Sequence, residues 1–336
     1  MNKLAIQPPP LLRNPHVQSV LASSRLRKLA ARRIAANLVR DAKELILDGG
    51  DGVRLQGFLT MQNALPVSRG LAVLLHGWEG TVQSNYVLHT GGRLLREGFD
   101  VFRLHFRDHG ETQALNPGIF HSCLLDEVIR AIADLSRRLP DRDLYLAGYS
   151  LGGNFTLRVA LRAPEAGLSL RHAAAVCPVI DPRNGLQAIE TAPWFYQQYF
   201  MLKWADSLRR KQAAYPDRFA FTSAELRTSV RQLTQMLVER YTEFGTLEDY
   251  LDGYSIEGDR LAHATVPLSI LTSTDDPIVP VGDFEKLTLP PGARLDIAPF
   301  GGHCGFITDF RLNGLAENWI AERFRDASDT RPQPNA

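Results

Sequence analysis

Leu144-Tyr145-Leu146-Ala147-Gly148-Tyr149-Ser150-Leu151-Gly152-Gly153-Asn154 passes from an apolar run, through a serine set among glycines, into a helix-period segment that reaches Arg162. A side chain at Gly148 or Gly152 would clash as the chain reverses, so the pattern reads as a tight strand-to-helix turn that exposes the Ser150 hydroxyl. The following helix would aim its positive N-terminus and free N–H groups at charge developing beside that hydroxyl. Such a pentapeptide is common by chance; its place between a strand and a helix gives it weight.

Outward from this turn, short apolar runs recur at 71–75, 101–104, 172–176, 268–271 and 294–297, with helix-period segments at 124–139, 154–162 and 312–324. Strand and helix alternating in this way imply right-handed crossovers, hence an α/β domain with a mainly parallel central sheet and helices on both faces. Ahead of them, 44–47 and 53–59 flank Asp48-Gly49-Gly50-Asp51-Gly52 and read as an antiparallel hairpin.

The rhythm breaks at 181–264, where Trp194, Phe195, Tyr196, Tyr199, Phe200, Met201 and Trp204 crowd into one helical stretch. An insertion of that size reads as a helical cap. Its aromatics, with Trp194, Phe195 and Tyr199 as substrate-binding candidates, are expected to roof an apolar cleft, although packing of the helix on the sheet would use the same residues. The expected organisation is an N-terminal extension over 1–43, a core over 44–180 and 265–325, the cap over 181–264, and a disordered tail over 326–336.

A serine hydroxyl needs a base, and the base needs an orienting acid. With the serine on such a turn, the chain order to seek is Ser, then Asp or Glu, then His. Phe300-Gly301-Gly302-His303-Cys304-Gly305-Phe306 follows the last apolar run and makes His303 the candidate base. In Thr274-Asp275-Asp276-Pro277-Ile278-Val279-Pro280 either aspartate could reach it. Asp276 is preferred, three residues before a small apolar residue and proline, with Asp275 left to shape the loop. Asp181 is weaker and reads as a cap before Pro182. The backbone N–H groups of Trp78, in Leu75-His76-Gly77-Trp78-Glu79-Gly80, and of Leu151 are candidates for an oxyanion hole. His76 and Glu79 read as loop braces, and Asp108-His109 reads equally as a brace or a ligand pair.

Thirty-eight Lys and Arg against 37 Asp and Glu give a net charge of +1, which offers nothing to nucleic acid. Composition (44% hydrophobic, 22% charged) excludes a disordered or fibrous chain. The three cysteines are unclustered in sequence, and no zinc-type spacing, dinucleotide fingerprint or phosphate loop occurs, so neither metal nor cofactor is expected. With no apolar run suited to a signal peptide or to the ~20 residues of a spanning helix, the cytoplasm is the expected location. The 25–40 stretch is basic and lacks acidic residues. It reads as a solvated helix on the domain, and a helix of this kind can also be drawn to anionic lipid as a peripheral membrane contact.

With these residues placed, the chain resembles the α/β-hydrolase superfamily, and within it the YheT-like (Emb8-like) branch. The resemblance rests on Arg13-Asn14-Pro15-His16-Val17-Gln18, His76-Gly77-Trp78-Glu79-Gly80, Leu115-Asn116-Pro117-Gly118, the segment 244–255 and the His303 loop. It implies the α/β-hydrolase fold, a Ser150-Asp276-His303 triad and hydrolysis of carboxylic esters, lipid-like or short-acyl. The departure at Arg107-Asp108-His109-Gly110, where many relatives have Arg-Gly, leaves that loop without an inherited role. An acyltransferase using the same triad and a non-catalytic binding module on the same fold stay open at this point.

Overall fold

A computed structural model of the chain describes residues 2–330. Nine strands form one sheet: β1 (Asn2–Lys3), β2 (Lys43–Gly50), β3 (Val53–Thr60), β4 (Leu71–Leu75), β5 (Asp100–Leu104), β6 (Leu144–Tyr149), β7 (Leu170–Val176), β8 (Leu268–Ser273) and β9 (Arg294–Ala298). Their order is β1-β9-β8-β7-β6-β4-β5-β3-β2. All neighbours are parallel except β2 with β3 and β3 with β5. The hairpin closes on Asp51 (φ 53) and Gly52 (φ 78), the left-handed pair that a two-residue turn demands. Strands β4, β5, β6 and β8 are buried at every position, as strands covered on both faces must be.

The core helices are α1 (Pro15–Ala22), α2 (Arg25–Ile34), α3 (Ala36–Arg40), α4 (Asn85–Arg96), α5 (Leu125–Arg138) and α6 (Leu151–Arg162). The cap follows as α7 (Pro182–Thr191), α8 (Trp194–Ala214), α9 (Val230–Tyr241) and α10 (Leu247–Gly253), and the chain returns to the core with α11 (Val281–Glu285) and α12 (Leu315–Asp329). One face of the sheet is closed by α5 and α6 through Val128, Ile132, Phe155 and Val159. The other is closed by α4 and α12, with Ala31 and Leu38 of the N-terminal helices, through Leu88, Trp319 and Phe324. The cap has its own small core around Leu208, Phe219, Leu233, Leu237 and Tyr250.

One expectation needs correction. The C-terminal helix runs to Asp329, so the segment expected to begin a disordered tail at Asp326 is helical. Residues 331–336 of that tail lie outside the described residues. The basic stretch lies on the domain with Arg25, Lys28, Arg32 and Arg33 exposed, and Arg27 alone among its basic residues is buried, paired at 2.9 Å with Glu317, because α2 lies on α4 and must turn one face inward. No helix among the described residues is long and apolar enough to cross a membrane.

Candidate active site

Strand β4 neighbours β5 on one side and β6 on the other, so the connections leaving β4 and β6 diverge and open a crevice at their carboxyl ends. Trp78 leaves the first strand and Ser150 the second. Ser150 has φ 54 and ψ −119, a conformation that costs a non-glycine residue about 1–3 kcal/mol and survives only where packing enforces it. The enforcement is steric. A Cβ at Gly148 would stand 2.1 Å from the Gly152 carbonyl oxygen, and one at Gly152 would stand 2.4 Å from that of His76. The first residue of α6 is Leu151, whose N–H is among those a helix leaves unpaired.

The Ser150 hydroxyl lies 2.9 Å from His303 Nε2, and His303 Nδ1 lies 2.9 Å from Asp276 Oδ2. Asp276 also accepts the Ile278 and Val279 N–H groups at 2.8 and 3.0 Å, which fixes the carboxylate. Its neighbour Asp275 accepts instead from Gly301 and Gly302, both at 2.9 Å, and shapes the loop. With Nδ1–H donating to Asp276, Nε2 is left to accept from the serine hydroxyl. Burial pulls the His303 imidazole down, but the Asp276 carboxylate, with Cys304 beside it, outweighs burial and holds it well above its ordinary value.

Ser150 and His303 open into a cavity of about 740 Å³. Its walls include Trp78, Phe195, Tyr196, Tyr199, Phe200, Trp204 and Ile278. Trp194 is not among them. It is 74% exposed at the first residue of α8, so the expectation that it binds substrate is corrected. Phe200 stacks on Trp78 at 5.3 Å and Trp204 meets it edge-on at 5.0 Å, so these cap aromatics pack on the loop after β4 as well as facing the cavity.

That loop is braced from beneath. The Gly77 N–H donates to the Tyr86 hydroxyl at 3.0 Å. His76 Nδ1–H donates to the Gly77 carbonyl at 2.8 Å while Nε2 accepts from the Phe106 N–H at 3.3 Å, which fixes a neutral ring. Burial and the nearby His109 push its pKa well below the ordinary value. Burial raises the Glu79 carboxyl to about 7, against the opposing pull of Lys203. Asp181 caps α7 by accepting from the Arg183 N–H.

Sequence reasoning missed two features. Lys211 of α8 is buried against Asp108 Oδ1 at 2.7 Å, which makes Asp108 the anchor of the cap; a lone lysine in a mixed helix carries no signal of this. Cys177 and Cys304, 127 residues apart, are brought together by β7 and the His303 loop. Their sulfurs and a His303 ring nitrogen lie within 4.8 Å of one another, which corrects the unclustered reading. A metal there would compete with Ser150 and Asp276 for the imidazole.

Residues 66–289 match the family model described as serine aminopeptidase, S33. Over 238 residues the chain is 25% identical to human Protein ABHD15, covering 69% of this chain and 50% of that protein. It is 22% identical over 267 residues to monoacylglycerol lipase of Saccharomyces cerevisiae, covering 76% and 58%. The chain thus spans little more than half the length of the curated relatives it matches. A solved esterase from Pyrococcus furiosus superposes with a TM-score of 0.55 at 17% identity over 88% of this chain and 92% of that one, a likeness of fold. A crevice at the β4/β6 divergence, a strained serine turn and a family match across two thirds of the sequence agree: the chain belongs to the serine aminopeptidase S33 family of the α/β-hydrolase superfamily.

Proposed function

We propose that the protein is a serine hydrolase of carboxylic esters with an apolar acyl group, and that it belongs to the YheT-like branch. The observation that carries this reading is the unbroken series Asp276, His303, Ser150 at hydrogen-bond distances on the wall of an apolar cavity. Ser150 Oγ attacks the acyl carbon as its proton passes to His303 Nε2, and the oxyanion is received by the Trp78 and Leu151 N–H groups. Collapse expels the alcohol, which takes the proton from His303. Water, deprotonated by the same imidazole, then releases the acid from Ser150.

The charge around the cavity favours an ester over a peptide N-terminus. A free ammonium needs a carboxylate to receive it, and Glu79, a carboxyl on the cavity wall, is raised by burial and already faces the cation of Lys203. Three free thiols, at Cys123, Cys177 and Cys304, support a reducing compartment such as the cytoplasm.

A fluorophosphonate should label Ser150 covalently, and purified protein should release free acid from p-nitrophenyl esters of graded acyl length. Absence of label at Ser150 in folded protein would sink the reading. Turnover should also rise with pH on the acid side as His303 loses its proton. Because Asp276 favours the imidazolium, the midpoint of kcat/KM should lie above 6.5. Burial shifts His105 to about 3 and His109 to about 4, so a midpoint in that range would assign the base elsewhere.

A further inference from the structure

The family match begins at residue 66, yet the loop that carries His303 is held largely by residues far ahead of it. That loop is strained: Gly302 (φ 50), Cys304 (φ 60) and Phe306 (φ 47) all lie in the left-handed region, and two of them are not glycine. Such backbone keeps its shape only where its surroundings over-determine it. Asp275 and the Ser273 hydroxyl, which donates to the Gly302 carbonyl at 3.0 Å, hold the loop's entry, the Leu315 N–H holds the Phe306 carbonyl at 2.9 Å, and the N-terminal segment grips the loop between them. Ser19 Oγ accepts the His303 N–H at 2.8 Å while donating to the Pro15 carbonyl at 2.8 Å. The Gln18 amide is fully buried; it donates to the Ile307 carbonyl at 2.9 Å and to that of Leu12 at 2.6 Å, and accepts the Ile307 N–H at 2.8 Å. Arg27 donates to the Gly305 carbonyl at 3.1 Å.

The contact is also tight. A Cβ at Gly302 would stand 2.4 Å from the Pro15 carbonyl oxygen, and one at Gly305 would stand 2.7 Å from that of Gln18. These interactions give the Asn14-Pro15-His16-Val17-Gln18-Ser19 run a position-by-position reading. Asn14 caps α1 by accepting from the His16 and Val17 N–H groups, and Pro15 starts the helix. His16 reaches the Tyr196 hydroxyl of the cap at 3.2 Å. Gln18 and Ser19 grip the His303 loop. A buried amide satisfied at both ends selects one geometry, where an apolar side chain would supply packing alone.

We propose that residues 14–27 are the positioning element for His303, with Ser19 the residue that fixes its backbone and Gln18 and Arg27 the residues that lock the loop behind it. This rests on the reading of Ser150 and His303 as nucleophile and base. Ser19→Ala should lower kcat about 10- to 100-fold, the scale of a small misplacement of a catalytic group, with KM within twofold of the parent. Fluorophosphonate labelling of Ser150 should slow by the same factor. The downfield proton resonance of the His303 Nδ1–H against Asp276 should shift or broaden, and Ser19→Thr, which keeps the hydroxyl, should restore most of the rate.

Parent-like labelling and an unmoved resonance in folded Ser19→Ala would overturn the proposal. So would an equal loss in Ser19→Ala and Ser19→Thr that tracks a fall in thermal midpoint, since that marks general loosening. If the parent protein itself does not label, the nucleophile reading fails, while the resonance still reports whether Ser19 sets the contact between His303 and Asp276. Gln18→Ala is the harsher variant, and Ser19→Ala carries the test if it does not fold.

Discussion

Replacing Ser150 by alanine is expected to lower kcat on p-nitrophenyl esters by a factor on the order of 10³ to 10⁶, with little change in stability. The hydroxyl makes one hydrogen bond, to His303 Nε2, and its removal leaves Gly148, Gly152 and the backbone of the turn untouched. Alanine meets the same strain at φ 54 that serine already bears. What survives should be the background from the two backbone donors and the cavity. Circular dichroism and a thermal midpoint like the parent's, together with lost turnover, are the expected pair of results. Undiminished turnover by the variant would rule out the mechanism.

The residues of that series were legible because each is specified by local geometry. Ser150 needs glycines at fixed offsets, and those offsets are visible in the sequence. His303 and Asp276 follow the last two strands in the order the turn implies. Side-chain direction is a different kind of information. Trp194, Phe195 and Tyr199 share a helix, and composition does not tell which of them turns to the cavity; the rotation of α8 is set by contacts along its length, from Tyr196 and Met201 to Leu208 and Lys211. Arg27 was hidden for a related reason. In a stretch with five other basic residues between 25 and 40, nothing local marks the one that faces Glu317, 290 residues away. The meeting of Cys177 with Cys304 likewise depends on strand order, which spacing alone does not encode.

Lys211→Met should destabilise the protein by about 3–5 kcal/mol, the usual consequence of stripping one partner from a buried pair. Lys211 is 1% and Asp108 6% exposed at the side chain. The ammonium places its three donors on Asp108 Oδ1 at 2.7 Å, the Asn116 carbonyl at 2.7 Å and the Gln113 carbonyl at 3.2 Å. Methionine fills the volume and leaves all three acceptors dry. Burial already raises Asp108 to about 6 against the pull of Lys211, so the uncompensated carboxylate should take up a proton readily. The deficit should therefore be smaller at pH 5 than at pH 8, and Lys211→Met with Asp108→Asn should recover part of it. Urea unfolding followed by tryptophan fluorescence measures both effects. A loss under about 1 kcal/mol at pH 8 would show that the cap is anchored elsewhere.

Residues 2–27 meet residues 296–317: Asn2 and Lys3 pair with Asp296 and Ile297, Gln18 bonds to Ile307, and Arg27 to Glu317. During synthesis Arg27 emerges from the ribosome 290 residues before its partner, a delay of roughly 15–60 s at about 5–20 residues per second. Throughout that interval the nascent N-terminal helices have no C-terminal surface on which to settle. The grip of residues 18–27 on the His303 loop can thus form only after residues 303–317 have left the ribosome, so the shape of that loop is a late event in folding.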